Sequence, residues 1–133
     1  MKNYPILFLL LIMLALAACA EKSDKPAKLT ADDIRVTDPD QAIEVKGGEE
    51  FTIMLETNPN TGLHWEIAVE LDTAVVEYVW KEFVGKTARE DSPGWDVWTF
   101  KAIAPGETTI TFGYYRGFTE DSTKTAEFKI IVK

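Results

Sequence analysis

From Ile34 onward, apolar side chains recur at every second position, a period that suits a half-buried β-strand and not an α-helix. Ile43 and Val45 alternate in this way, as do Phe51, Ile53 and Leu55, and then Trp65, Ile67 and Val69. The pattern resumes in Trp98, Phe100 and Ala102, in Ile110, Phe112 and Tyr114, and in Phe128, Ile130 and Val132. Polar residues such as Thr52, Glu66, Thr99, Thr111 and Lys129 occupy the positions between, giving each strand a wet face. Turn-forming runs punctuate the strands: Pro39-Asp40, Gly47-Gly48, Asn58-Pro59-Asn60-Thr61-Gly62, Ser92-Pro93-Gly94 and Pro105-Gly106. Val75 to Phe83 mixes two periods, and its β-branched and aromatic content assigns it to a strand. No segment joins helix caps to a sustained amphipathic stripe. The expected fold is therefore all-β: an immunoglobulin-like antiparallel β-sandwich of about seven or eight strands over residues 34–133, with Trp65, Trp98, Phe100 and Phe112 as its largest buried bodies.

Residues 1–33 follow other rules. Lys2 precedes an apolar run from Tyr4 to Ala18, too short to span a bilayer comfortably but suited to the central region of a secretory signal. The run ends in Leu16-Ala17-Ala18-Cys19, which resembles the lipobox of bacterial lipoproteins, where the Cys is lipidated and becomes the first mature residue. Residues 1–18 are thus read as a lipoprotein signal peptide. Residues 19–33, rich in Lys, Asp, Ala and Ser, are read as the lipidated Cys19 and a flexible tether. Ala20 stands where an Asp would signal inner-membrane retention in a Gram-negative host. The expected location is the bacterial cell envelope, on the outer membrane facing the periplasm if the host is Gram-negative.

Charge and composition exclude several classes of function. Fourteen basic and 22 acidic residues leave a formal net charge of −8, and loss of Lys2 with the signal takes it to −9. A chain this acidic is a poor match to nucleic acid, and its self-repulsion favours a monomer. One Cys allows neither an internal disulfide nor a Cys-based metal cluster. The only His, His64, lies between Leu63 and Trp65 at the start of a strand and is read as a surface residue. The acidic pairs Glu49-Glu50, Glu90-Asp91 and Glu120-Asp121 fall in loops and read as solvated charge. No phosphate loop, zinc spacing or calcium loop is present. The chain is expected to be no enzyme and to need no metal or cofactor.

The loops remain as candidates. In a sandwich, alternate connections gather at one end, where they can form a binding surface on a rigid frame. Asn58-Pro59-Asn60-Thr61-Gly62-Leu63-His64-Trp65 resembles the Asn-Pro-Thr-Thr-Gly-Tyr-x-Trp motif of the chagasin family, reversible protein inhibitors of papain-like cysteine peptidases. Val97 to Ala102 and Pro105 to Thr108 resemble that family's strand and turn after its second loop. Tyr115-Arg116-Gly117-Phe118 falls where the family carries Tyr-x-Arg-Pro-Trp or a close variant. The resemblance implies three loops that wedge into a peptidase cleft, with Thr61 nearest the catalytic centre. It assigns peptidase contact to Asn58, Pro59, Asn60, Thr61 and Gly62 in the first loop, Gly94 and Trp95 around the second, and Arg116, Gly117 and Phe118 in the third. The chain also departs from the pattern. Asn60 replaces a Thr, Asp91-Ser92-Pro93-Gly94 keeps only the last Gly of a Gly-x-Gly-Gly, Gly117 replaces Pro, and Phe118 replaces Trp. These departures leave open an alternative: a lipid-anchored envelope binding module of the same fold that has lost peptidase inhibition.

Overall fold

The structure is a computed structural model that describes residues 34–119 and 121–133. The expected signal peptide, Cys19 and the tether lie outside the described residues. Eight strands form among those described: β1 (Ile34–Val36), β2 (Ile43–Val45), β3 (Glu50–Thr57), β4 (Leu63–Ile67), β5 (Val76–Gly85), β6 (Gly94–Ala102), β7 (Gly106–Arg116) and β8 (Lys124–Val132). They build two four-stranded sheets, ordered β1-β3-β6-β5 and β2-β8-β7-β4. This is the immunoglobulin-like sandwich expected from the alternation.

Two pairings are parallel rather than antiparallel: β1 with β3 and β2 with β8. The reason is local. Between Val36 and Ile43 the chain leaves the first sheet and joins the edge of the second. A turn held by Gln41 N–H on the Asp38 carbonyl (3.2 Å) and Asp40 N–H on Asp38 Oδ1 (2.9 Å) makes the crossing. A single edge segment is thereby shared between both sheets.

Inward side chains close the core as alternation requires. Phe51, Ile53, Phe100, Ile110, Phe112, Phe128 and Ile130 are fully buried, and Trp65 and Trp98 nearly so. Within the sheets Phe51 stacks on Phe100 at 5.7 Å and Phe112 meets Phe128 edge-on at 6.0 Å, and between the sheets Trp98 meets Phe112 at 5.2 Å. Each such side chain contributes roughly 1.5–3 kcal/mol through burial, so the fold needs no cross-link.

The mixed period of Val75 to Phe83 has a structural cause. The β5–β6 register slips between Tyr78 and Trp80, leaving Val79 as a bulge that reverses the faces of the residues after it. Lys81 consequently points inward, where its ammonium donates to the Trp65 carbonyl (3.1 Å), pairs with Asp96 (3.5 Å) and lies 4.5 Å over the Trp98 ring.

Burial pushes the Asp96 carboxyl above its ordinary 3.8, and attraction to Lys81 and the Trp65 N–H offset this only in part. The folded chain therefore holds that proton more tightly than the unfolded one. The resulting contribution to stability is full below 3.8 and is lost as pH rises through the higher folded value. Relative to Asp96→Asn, the wild type is expected to lose stability as pH rises from below 3.8, as measured by urea unfolding across the acid range. A relative gain would show that Lys81 outweighs burial.

Candidate functional site

Three connections meet at one end of the sandwich: residues 58–62 between β3 and β4, 86–93 between β5 and β6, and 117–123 between β7 and β8. The first is built around one turn of 3₁₀-helix at Pro59–Thr61. Pro59 has its φ preset for the helical turn. Asn58 caps it, its Oδ1 accepting from Asn60 N–H at 3.1 Å. Gly62 ends it in the left-handed region (φ 70°), where a side chain would be strained. The Thr61 hydroxyl turns back into the loop, donating to the Asn58 carbonyl at 2.8 Å and accepting from Leu63 N–H at 3.2 Å. The loop is thus stiff by its own bonds, and Pro59, Asn60, Thr61 and Gly62 are all exposed.

The second loop closes differently. Lys86 N–H bonds the Pro93 carbonyl (2.8 Å), and Ser92, buried at the base, donates to the Thr87 carbonyl (3.3 Å). At the tip Arg89 grips the Asp91 carboxylate with two bonds, 3.1 and 3.0 Å. Lys86 pairs with Glu56, and that hydrogen bond and charge hold the Glu56 carboxyl below the usual carboxylate range.

In the third loop Gly117 also takes the left-handed region (φ 60°), and its N–H reaches the Gly62 carbonyl at 3.4 Å. Thr119 folds back on the Arg116 carbonyl through both its N–H and its hydroxyl. Phe118 is left fully exposed at the tip.

Bonds join all three loops. Asn60 Nδ2 donates to the Asp91 carbonyl, 31 residues away, and Arg116 Nη1 donates to the Thr61 carbonyl at 3.4 Å, 55 residues away. The structure therefore gathers Asn58 to Gly62 and Arg116 to Phe118 into one surface.

Gly94 and Trp95 do not share that surface. Gly94 is buried at the start of β6, opposite Gly85 of β5 and Thr57 of β3. There it has a packing role: it lets β5 and β6 come together beneath the second loop. Trp95 is half-buried on the outer face of β6, between Glu56 and Val84, with Lys86 Nζ 5.4 Å from its ring centroid. It lies one row below the tips because the alternation that buries Asp96 turns its neighbour outward.

His64 is partly exposed on β4, 3.7 Å from Glu66 Oε1. A shallow recess of about 330 Å³ runs from His64 and Glu66 past Tyr115 to Phe118, beside the third loop. Among the described residues no group of three or more His, Cys, Asp or Glu side chains converges on a common point.

A family model described as chagasin family peptidase inhibitor I42 matches residues 44–132. The chain belongs to the chagasin family. Solved structures with the same fold include the cysteine protease inhibitor EhICP2 from Entamoeba histolytica, at 20% identity and a TM-score of 0.62, covering 75% of this chain and 94% of that one. Amebosin matches at 21% identity and 0.61, covering 76% and 98%. PbICP-C, whose structure is of a complex with falcipain-2, matches at 17% and 0.53, covering 80% and 95%. No curated protein matches the chain. The chagasin family consists of peptidase inhibitors, not enzymes.

Membership sharpens the meaning of Gly117. The chagasin-type motif places Pro there, yet Pro is locked near φ −65° and has no N–H to give. At φ 60°, with its N–H on Gly62, this loop follows a path closed to proline. Gly117→Pro is therefore expected to destabilise the domain by about 1–3 kcal/mol and to weaken loop-mediated binding. Urea unfolding checks the first effect, and an unchanged or higher midpoint would contradict it.

Proposed function

We propose that the domain is a reversible, non-covalent inhibitor of papain-like cysteine peptidases, with the joined end of the sandwich seated in the active-site cleft. The observation that carries this reading is the bonding of three sequence-distant loops into one rigid, exposed surface bearing Thr61, Arg116 and Phe118. A surface ordered before contact loses little entropy on binding. Its aromatic and Arg side chains are the types that dominate interface energetics. Inhibition without turnover follows from the shape of the loops. A 3₁₀ turn and two closed loops present no extended peptide bond in attack geometry to the catalytic Cys, so the nucleophile is covered without being offered a substrate. The match to a family of peptidase inhibitors supports this reading, as does the likeness to a protein solved in complex with falcipain-2.

The experiment is an active-site titration of papain with the purified protein. Inhibition that is reversed by dilution, with the inhibitor recovered uncleaved, is expected; none at micromolar concentration would overturn the reading.

The sequence around Cys19 supports an exported protein, lipid-anchored in the bacterial envelope, and the acidic net charge supports its acting there as a monomer. Loss of membrane association in Cys19→Ser, followed by fractionation, tests the anchor. Sedimentation of that variant tests the monomer.

A further inference from the structure

We infer that Asn60 is a positioning residue that couples the first loop to the second, so that a peptidase meets the two as a single body; this rests on the inhibitory reading of the loops given above. Asn60 lies exposed in the middle of the 3₁₀ turn, where its side chain is free to point toward a partner. It points sideways instead, and its amide donates to the Asp91 carbonyl. The turn on which it stands is fixed independently, because Asn60's own N–H bonds Asn58 Oδ1 at 3.1 Å.

The acceptor is equally constrained. Asp91 sits in a loop closed at its base by Lys86 N–H on Pro93, and its carboxylate is gripped by Arg89. The carbonyl is therefore presented by the backbone while the side chain is occupied elsewhere. A hydroxyl at position 60, as in the motif this loop resembles, is one bond shorter and carries no amide to bridge the gap.

The same region has exchanged glycine-rich backbone for Asp91, Ser92 and Pro93. A charged second loop brings large side chains to the cleft only if it is held in place. The Asn60 amide supplies the hold from outside that loop.

The test uses Asn60→Ala in two backgrounds, with papain as the probe. In the otherwise wild-type chain the substitution is expected to weaken binding about tenfold, since ordering of the second loop is then deferred to complex formation. The thermal midpoint should move by less than about 2 °C, as for an exposed site. In a chain carrying Arg89→Ala, Glu90→Ala and Asp91→Ala, the second loop has lost its side-chain contacts, and the same substitution should change affinity less than about threefold. Equal losses in both backgrounds would mean that Asn60 touches the peptidase directly, and no loss in either would mean that it positions nothing; both overturn the inference.

A partner-free measurement keeps the two readings separable. In the free protein, Asn60→Ala should lower the backbone ¹⁵N order parameters of residues 88–91 while leaving those of β6 and β7 unchanged. Unaltered order in the second loop overturns the coupling, even if papain is inhibited. Lowered order with no inhibition by the wild type keeps the coupling and rejects the inhibitor.

Discussion

Thr61→Arg is expected to abolish inhibition of papain, weakening binding by at least about a thousandfold, or ~4 kcal/mol. Thr61 is exposed at the crest of the first loop, and its hydroxyl is spent on internal bonds with Asn58 and Leu63. What it offers a partner is therefore its small size and the stiff backbone beneath it. An Arg there would carry a long, charged side chain into a cleft that must be dehydrated, and burying that charge unpaired is costly. It would also stand next to the Arg116 guanidinium, which lies on the Thr61 carbonyl. The fold should hardly notice, because the site is solvent-facing in the free protein. The control is Thr61→Ser, which keeps both hydroxyl bonds and should retain affinity within a few-fold. Papain titration and thermal unfolding of both variants decide the matter. Unchanged affinity in Thr61→Arg would remove the first loop from the contact.

Gly94→Ala is expected to lower stability by about 3 kcal/mol, at the upper end of what overpacking costs. A methyl group placed on Gly94 would lie 2.3 Å from the Val84 carbonyl oxygen, 2.7 Å from Phe83 Cζ and 2.8 Å from Gly85 Cα. Two of those three atoms are backbone and cannot rotate away. The β5–β6 ladder would have to part at its last pair, just where the second loop begins. For a domain of this size the loss corresponds to roughly 12–24 °C in thermal midpoint. Gly62→Ala is the useful comparison. Nothing lies within 4 Å of its added methyl, so its cost comes from the left-handed backbone alone, roughly 1 kcal/mol. If Gly94→Ala melts no lower than Gly62→Ala, the close approach of the two strands is not the reason for the glycine.

Why some of this was legible in the sequence and some was not follows from how local each signal is. Strand alternation is a property of consecutive residues, so Phe51-Ile53-Leu55 and Phe128-Ile130-Val132 announced their inward faces without help. Val79 broke that rule, because a bulge depends on the partner strand as much as on its own. The first loop was readable because Asn58, Pro59 and Gly62 each perform a backbone task within five residues. The second loop carried no such spelling, since its closure depends on Ser92 reaching back to Thr87. The family resemblance places Gly94 and Trp95 around the second loop, and in the structure they are the first residues of β6. A motif window counts positions along the chain and cannot see that the hairpin has already closed. The bonds joining the loops were out of reach altogether, because they link residues far apart in sequence.

The parallel pairing of β1 with β3 has a spatial consequence. Ile34 joins the sheet beside Phe51, six residues before β3 reaches Thr57, so the chain enters roughly 20 Å back from the loops. A peptidase gripping the crest would therefore lie at the other end of the sheet from Ile34. Were the chain held upstream of Ile34, as the proposed anchoring through Cys19 requires, docking and moorage would act on the domain at different ends, and a tug from one would reach the other only along the length of the sheet.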